Sequence, residues 1–536
     1  MKRRLIVATL LLSLLLCGCI GCEGTSSNAE SKPIGNGGRE IHLPGGDWGL
    51  PTPFTFYPRG PGYIHLSLVY DTLVWKDEKD TIPWLAKRWE CGPGALQWTF
   101  HLRPGVRWQD GKPLTADDVS FTFDYLRRHP VEWFSLEAIA SVEAWDDHTV
   151  IFHLRKPYAP FLSQVAGNVP IIPEHIWKDV SDPRSTSSLN RLVGSGPYRL
   201  IQYDKAQGAY AYTANPDFFL KPPRIGKILF VPTGDPVAAL ERGLVDQAAI
   251  PASLLARFSR RRDFSVLSGP SFWVLTLRFN CVRYPFSQRT VRQALACAID
   301  REALIRHAVP GGLQGARPGS PGFLPPDSNW FDPKIQHMYP YDSSRAESVL
   351  RSAGIEDRNG DHVFEGPEGT AMKLTLITTP EYLREAETLQ LMLGKIGFEL
   401  QPKAMDIKSL DALVREGRFD LALTGHGGLG ADPSAIPGFG ADKRSLHFGA
   451  PTDPAYLALT EQLMASSDPS QRMKLCRKMQ HLYADELPTL PLYYPVRFSA
   501  HRPQVLDGWF YTAEGGVGIG IPLSYNKLVF IRGNPP

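Results

Sequence analysis

The sequence has 536 residues, of which 43% are hydrophobic, enough for roughly two to four domains of about 100–200 residues each. The 58 basic and 55 acidic residues leave a net charge of only +3. This balance excludes the strongly basic surface of a nucleic-acid-binding protein, and the short basic run at residues 260–262 predicts only a solvated loop.

The first residues predict an export signal. Three basic residues precede an apolar run over residues 5–16, which is too short to span a bilayer. The sequence LCGC that follows resembles a bacterial lipoprotein cleavage box, so residues 1–18 are expected to be removed and Cys19 to be lipidated. Cys22 is an alternative acylated cysteine, and an ordinary signal peptide is an alternative for the whole segment. Two acyl chains suffice for stable membrane attachment.

The folded part is predicted to begin near residue 40. Residues 19–39 are rich in Gly, Ser, Asn and Glu and have almost no large apolar side chain, which predicts a flexible tether. No later segment approaches eighteen consecutive apolar residues. The rest of the chain is therefore expected to be soluble apart from its anchor.

Residues 96–126 carry the most regular pattern in the chain. Apolar and polar residues alternate over residues 96–102, which is typical of a half-buried strand. Pro-Gly and Asp-Gly turns flank a short return strand. Thr115 followed by Asp118 predicts a capping box at the start of a helix with one apolar face.

The same stretch resembles the signature of the extracytoplasmic solute-binding proteins of the peptide/nickel class of ABC importers. The shared pattern W-T-F-x-L-R-x-G-V-x-W-x-D-G-x-P-L-T-A-x-D-V-x-F runs here from Trp98 to Phe121. The turn G-S-G-P-Y at residues 194–198 and further segments extend the resemblance over residues 48–530. The resemblance implies an α/β fold like that of periplasmic binding proteins, with two hinged lobes (type II) and an extra domain.

These domains are expected to be discontinuous in sequence. The resemblance implies lobe I at residues 40–66, 190–272 and 500–536, extra domain II at residues 67–189, and lobe III at residues 273–499. The two lobes would close on a solute about a hinge.

Two groups of elements are predicted further along the chain. A strand at residues 228–231, a helix at 236–243 and a strand at 245–250 predict a parallel pair with a right-handed crossover. A second series predicts a β-α-β-α-β unit, at residues 373–378, 381–396, 398–402, 407–416 and 419–424. Helices at 456–466 and 471–486 then precede one strand at residues 490–499.

Residues 424–433 follow a predicted strand end, where α/β sheets bind ligands. The resemblance places this segment at the cleft, with His426 where the family often has Trp. In peptide-binding members of the family, an Asp in this segment holds the amino group of the peptide. The corresponding position in this sequence falls near Leu429, so that Asp is missing here. His426 is therefore a candidate solute contact, and a metal ligand for a nickel-type solute, with a structural role as the alternative. Asp432 is another candidate or only a turn initiator.

Five more candidates are large aromatic or arginine side chains, which commonly anchor ligands. They are Tyr57, Trp133, Trp273, Arg278 and Tyr493. Burial in the core is the alternative for each. Tyr57 belongs to the Pro- and Gly-rich residues 46–63, whose rings form the rim of the cleft, as the resemblance implies, or pack against one another.

Two further patterns leave alternatives open. Residues 357–368 resemble a calcium loop, but His362 stands where the sharp turn requires glycine; the resemblance implies a hairpin there instead. The four cysteines of the body, which export allows to form disulfides, have no spacing that predicts a pairing or a zinc site. They are Cys91, Cys281, Cys297 and Cys476.

No catalytic motif is present. The sequence lacks G-x-S-x-G and H-E-x-x-H, and Ser195 lies in a G-S-G turn without the spacing of a nucleophile elbow. No cofactor is expected. The resemblance implies an exported, lipid-anchored, monomeric protein that captures a short peptide or a chelated metal such as nickel for an ABC permease and its ATPase. An exported hydrolase and a sensor or adhesion lipoprotein are the alternatives.

Overall fold

The computed structural model describes residues 39–57, 61–131, 133–271, 273–427, 432–433, 436, 454–512 and 526–532. The predicted signal peptide, Cys19 and nearly all of the tether lie outside these residues. Within them, no helix has the length and apolar character needed to cross a membrane.

The described chain forms nineteen strands. In chain order they are β1 (Arg39–Pro44), β2 (Val74–Lys76), β3 (Thr81–Pro83), β4 (Ala86–Cys91), β5 (Gln97–Leu102), β6 (Ile139–Asp146), β7 (Thr149–Leu154), β8 (Tyr198–Asp204), β9 (Ala209–Ala214), β10 (Ile225–Val231), β11 (Gln247–Ile250), β12 (Ser265–Gly269), β13 (Val274–Phe279), β14 (Ala316–Pro318), β15 (Lys373–Thr378), β16 (Glu399–Ala404), β17 (Leu421–His426), β18 (Thr489–Pro495) and β19 (Arg497–His501).

The same residues form thirteen α-helices. They are α1 (Gly62–Val69), α2 (Ala116–Arg128), α3 (Glu174–Trp177), α4 (Pro236–Glu241), α5 (Leu255–Ser259), α6 (Arg289–Ala298), α7 (Arg301–Ala308), α8 (Ser343–Ser352), α9 (Leu383–Gly394), α10 (Ile407–Arg415), α11 (Pro454–Ala465), α12 (Pro469–Glu486) and α13 (Lys527–Arg532).

The strands build five sheets. The largest has the order β14-β18-β13-β17-β15-β16, with β15 parallel to both β16 and β17. A three-stranded sheet has the order β11-β19-β12, and two four-stranded sheets have the orders β1-β10-β9-β8 and β4-β5-β7-β6. Strands β2 and β3 form a ribbon. Separate apolar cores pack under these sheets, the largest around β5 and α2 and the next around β13 and β15.

The first strand and the capped helix of the predicted signature are confirmed, but the short return strand predicted between them is wrong, because residues 106–108 make only an isolated antiparallel bridge, between Arg107 and Pro113. The side chains of Trp98, Phe100 and Leu102 on β5 are buried, as the alternating pattern indicated. Helix α2 then begins after Thr115, whose backbone N–H donates to Asp118 Oδ2 at 3.0 Å. The β-α-β-α-β unit is also confirmed. Its three strands, β15, β16 and β17, form the parallel part of the six-stranded sheet, and helices α9 and α10 connect them along the chain.

Two further strand predictions are wrong. Strands β10 and β11 do not pair with each other: β10 lies between β1 and β9, whereas β11 pairs antiparallel with β19. The single strand predicted at residues 490–499 is two strands in different sheets, because the chain leaves the six-stranded sheet after β18 and enters the three-stranded sheet at β19. A local pattern carries no information about such distant partners.

The chain passes between these two sheets twice, and the two crossings run side by side. One crossing leads from β12 to β13, and the other leads from β18 to β19. On one side Gly269 pairs with Arg497, and on the other Leu275 pairs with Tyr493. Together the crossings therefore form a short two-stranded connection between the sheets.

A fully buried ion pair connects α13 to the segment that precedes β2. Lys527 Nζ lies 2.5 Å from Asp71 Oδ1, and both side chains are 0% exposed. The Ser195 hydroxyl donates to the other Asp71 oxygen at 2.8 Å. Ser195 therefore supplies a hydrogen bond to the carboxylate of the ion pair. The chain beside it requires glycine, because a Cβ on Gly194 would lie only 1.8 Å from the Val69 carbonyl oxygen.

Residues 357–368 form a hairpin. Glu356 and Glu365 make an antiparallel bridge, and the Asp357 carboxylate accepts the backbone N–H groups of Gly360 at 2.7 Å and His362 at 3.0 Å. Across the described residues, no group of three His, Cys, Asp or Glu side chains is placed to hold a metal ion. The cysteines at 91, 281, 297 and 476 are free thiols in the structure.

Candidate functional site

A cavity of about 490 Å³ opens where the chain crosses between the two sheets. We call it the crossing cavity. It is lined by Trp273, Leu275, Glu381, Tyr382, Tyr493, Pro495 and Arg497. Three aromatic rings, one carboxylate and one guanidinium thus face the same space, a composition typical of small-molecule sites.

Three structural elements supply these side chains. Trp273 and Leu275 belong to the first crossing and the start of β13, while Tyr493 and Arg497 flank the second crossing on β18 and β19. Glu381 lies in the turn between β15 and α9. This turn follows the carboxyl end of a parallel strand, where α/β sheets commonly bind ligands.

The Trp273 indole packs directly against the backbone that follows β17. A Cβ on Gly425 would lie 2.3 Å from the indole Nε1, and a Cβ on Gly427 would lie 2.7 Å from the same ring. Real Cβ atoms do not approach so closely, so both positions require glycine. The two glycines around position 426 therefore hold one wall of the cavity.

A hydrogen-bonded pair lies behind that aromatic surface. The Tyr493 hydroxyl donates to Glu385 Oε1 at 2.8 Å, and both residues are buried. Burial raises the pKa of the Tyr493 hydroxyl, and the neighbouring Glu385 carboxylate raises it further. Burial likewise raises the pKa of the Glu385 carboxyl. Tyr382 has a raised pKa because of its burial and of Glu381 beside it.

Replacing Tyr493 with Phe is expected to lower the free energy of unfolding by about 1–3 kcal/mol, the range found when a buried polar group loses its partner. The substitution removes the hydroxyl that donates to Glu385 but keeps the ring. Urea unfolding followed by tryptophan fluorescence would measure the loss. Tyr341→Phe is the matched control, because that side chain is 52% exposed, and equal stability of the two variants would contradict the prediction.

Two of the predicted site residues, Trp273 and Tyr493, come together in the crossing cavity. Arg278 is not among the lining residues: it is 1% exposed and its Nε donates to Thr424 Oγ1 in the interior of the sheet. Burial lowers the pKa of Arg278 to about 10. Asp432 is buried and accepts two hydrogen bonds from Arg472, at 2.9 and 2.8 Å, so its carboxylate has a structural partner.

Tyr57 and Trp133 pack with rings outside the cavity lining. Trp133 lies 5.2 Å from Phe56 between ring centroids, and its indole N–H donates to the Pro53 carbonyl oxygen at 3.3 Å. Tyr57, half exposed, stacks on Trp48 at 6.2 Å. The rings of residues 46–63 thus pack against one another, and their role at a cleft rim stays a prediction.

His426 ends β17, where its backbone pairs with Val274. Its side chain lies outside the described residues, as does Leu429. The proposed solute or metal contact of His426 therefore also stays a prediction.

Sequence reasoning missed four polar side chains of this site, those of Glu381, Tyr382, Glu385 and Arg497. Glu381 lies just before α9 and Glu385 lies in its first turn, soon after the end of β15. Their position after a strand end could have identified them as candidates from the sequence. Arg497 could not be found this way, because it depends on where the predicted strand divides in two.

A second, more open groove of about 640 Å³ lies between α11, α12 and residues 332–338. Its carboxylates already have partners: Asp332 accepts from His481 at 3.1 Å, and Asp485 pairs with Arg289 at 2.7 Å. None of its lining residues is at the end of a sheet strand. The smaller crossing cavity is therefore the better candidate site.

The comparison with known proteins agrees with this architecture. The family described as bacterial extracellular solute-binding proteins, family 5 Middle, matches residues 80–443. The dipeptide-binding protein of Escherichia coli (strain K12) is 26% identical over 456 residues, covering 80% of this chain and 83% of that protein. The oligopeptide-binding protein AppA of Bacillus subtilis (strain 168) is 26% identical over 541 residues, covering 95% and 97%.

A solved structure shows the same fold. The crystal structure of NikZ from Campylobacter jejuni in complex with Ni(L-His) aligns with a TM-score of 0.75 at 24% identity, covering 92% of this chain and 99% of that one. The predicted α/β fold of periplasmic-binding-protein type is therefore confirmed. Since the family match spans more than half of the sequence, the chain belongs to the bacterial extracellular solute-binding proteins of family 5, the solute-binding components of ABC importers.

Proposed function

We propose that this protein captures short peptides outside the cytoplasmic membrane and delivers them to an ABC permease. The observation that carries the proposal is the crossing cavity, which combines aromatic walls with a carboxylate and a guanidinium. A short peptide presents matching groups: an ammonium, a carboxylate and apolar side chains. The volume of about 490 Å³ falls in the range of roughly 300–1,000 Å³ that is typical of sites for small ligands.

The transport step would depend on closure rather than on catalysis. Lobes I and III, with the boundaries expected from the sequence, would close on the peptide about the two crossings, and extra domain II would be an additional domain of the same chain. The closed, liganded form would dock on the permease and release its solute on opening, because the two forms differ in affinity. No bond of the solute is made or broken in this scheme.

We further propose that the protein is an exported monomer held at the membrane by lipid on Cys19. The N-terminal sequence supports this, since a short apolar run is followed at once by a cleavage box. Mass spectrometry of the purified membrane-bound form would test it. Acylation of Cys19 is the expected result, and a cleaved N-terminus without lipid would contradict it.

Peptides are favoured over a nickel chelate by the cavity and by two of the relatives, whose names state that they bind dipeptides or oligopeptides. The NikZ structure contains Ni(L-His), and at 24% identity its likeness extends to the fold only. A chelate would use His426, the metal ligand expected from the sequence. Nickel–histidine therefore belongs in the same test as the peptides.

The test is a thermal-shift measurement with the purified protein and a panel of di- and tripeptides, nickel–histidine and an oligosaccharide. A bound peptide at 100 times its Kd is expected to stabilise the folded state by about 2.7 kcal/mol, which raises the Tm by a few degrees. No shift with any peptide would overturn the proposed solute class. Recovery of a shorter peptide after incubation would favour the hydrolase alternative instead.

A further inference from the structure

The open groove between α11, α12 and residues 332–338 keeps a surplus of positive charge, and we call it the basic groove. Three cationic side chains line it, those of Lys334, Arg477 and Lys478. None of the three forms an ion pair with any residue that the structure describes. The two carboxylates of the lining are already engaged. Asp332 lies 3.1 Å from His481, and Asp485 lies 2.7 Å from Arg289.

Apolar side chains lie beside these cations. Lys478 and Leu482 are one helical turn apart on α12 and therefore share a face. Met338 and Leu459 add two more apolar side chains to the lining, and like Leu482 they are only partly buried. The basic groove thus offers an apolar strip and a set of cations to the same ligand.

The groove is preformed, because hydrogen bonds fix the neighbouring segment to α12. Gln480 Nε2 donates to the Trp330 carbonyl oxygen at 2.7 Å, and the backbone N–H of Asp332 donates to Gln480 Oε1 at 3.1 Å. Further along the segment, the Tyr339 hydroxyl donates to the Ala484 carbonyl oxygen at 2.9 Å. A preformed groove loses little conformational freedom when it binds a partner.

These features fit an acidic segment of a second protein. Carboxylates of the segment would meet the three cations, and its apolar side chains would cover the strip. A membrane fits less well, because its surface is flat, whereas the cations line a concave groove of about 640 Å³. The long parts of this chain outside the described residues are not acidic enough. Residues 19–38 and 513–525 contain two and one acidic residues, and residues 437–453 contain as many Lys and Arg as Asp.

We propose that the basic groove docks an acidic segment of a partner protein, with apolar side chains between its carboxylates. The groove shares no lining residue with the crossing cavity, so the docking does not depend on which solute the protein carries. Attraction between a basic groove and an acidic segment speeds association and is weakened by salt.

The probe is a synthetic peptide of Glu and Leu residues with both ends blocked, and a matched peptide has Gln in place of Glu. Isothermal titration is run with the dipeptide Ala-Leu in excess. Wild type is expected to bind the Glu peptide at least about tenfold more tightly than the Gln peptide at low salt, and to lose this preference near 1 M salt, where screening acts over about 3 Å.

Replacing Arg477 and Lys478 together with Glu is expected to weaken binding of the Glu peptide at least about tenfold. The milder variants Lys334→Gln and Arg477→Gln each remove one charge and are expected to weaken binding by smaller factors. Lys474→Glu is the matched control, because Lys474 is exposed on the same helix but does not line the groove. It is expected to bind the Glu peptide like wild type.

Three results would overturn the docking site. Equal losses in Lys474→Glu and in the groove variants would show that net charge alone sets the affinity. Weaker binding of the Glu peptide by Trp273→Ala would place that peptide in the crossing cavity instead. Absence of binding to the Glu peptide, with binding to phosphatidylglycerol vesicles that the groove variants lose, would assign the groove to a membrane surface.

Discussion

Replacing Lys527 with Met is expected to lower the free energy of unfolding by about 3–5 kcal/mol, the usual cost of removing one partner from a buried ion pair. Lys527 and Asp71 are both fully buried, 2.5 Å apart. The substitution leaves the Asp71 carboxylate without its cation in a site closed by Trp75 and Trp84, whose ring centroids lie 3.9 and 4.7 Å from the ammonium. The remaining donors, Ser195 and Trp84, are neutral.

Urea unfolding would measure this loss, with Lys373→Met as the control. Lys373 pairs with Glu399 at 3.1 Å, but both side chains are about half exposed, and such surface pairs contribute roughly 0–1 kcal/mol. Combining Lys527→Met with Asp71→Asn is expected to cost less than the sum of the single changes, because the second removes the stranded charge. A Lys527→Met variant as stable as the control would show that the pair adds nothing to folding.

The largest expected effect on binding is that of Trp273→Ala. The indole forms a wall of the crossing cavity and lies against Gly425 and Gly427. Aromatic anchors of this kind cost about 2 kcal/mol or more when truncated, which corresponds to a loss of affinity greater than about tenfold. Titration with Ala-Leu would measure the change.

Trp145→Ala provides the comparison, since that indole is 68% exposed on β6 and its loss is expected to leave the Kd unchanged. The truncation at position 273 also removes the ring that excludes side chains at 425 and 427. We therefore expect its Tm to fall as well, and affinity is compared at a temperature where both variants are folded. Unchanged affinity of Trp273→Ala would place the solute elsewhere.

The parts of the fold that were predictable are those set by nearby residues. The alternation over residues 96–102 and the Thr115–Asp118 cap lie within a few residues of the structure they specify. The β-α-β-α-β unit follows for the same reason, since each connection is short. Inside the unit, the strands therefore pair with neighbours that are also close in sequence.

The parts that were not predictable depend on distant partners. Strand β11 pairs with β19 about 250 positions later, at Gln247 and His501, and no feature of residues 245–250 indicates this. The division of the strand at residues 490–499 has the same origin. It decides that Tyr493 and Arg497 belong to different sheets and yet line one cavity.

The candidate site contains residues that could be predicted from the sequence and residues that could not. Large aromatic residues were reasonable candidates by type, and Trp273 and Tyr493 do meet. The same reasoning selected Arg278, whose guanidinium is enclosed in the sheet interior, because residue type does not tell which face of a strand opens to a cavity. The spacing of Glu381 and Glu385 after a strand is visible in the sequence, but the contact of Glu385 with Tyr493 depends on the position of α9 relative to β18, which only the folded chain shows.

The paired crossings have a consequence for how the solute would be released. A rotation about two adjacent strands moves atoms in proportion to their distance from that pivot. Side chains such as those of Tyr493 and Arg497, which flank the crossing itself, therefore lie close to the rotation axis and move little, whereas residues at the distant rim of the cleft move furthest. We expect a bound peptide to lose its contacts at the rim first and its contacts beside the hinge last. The path of the chain between the two sheets would thus set the order in which the contacts break.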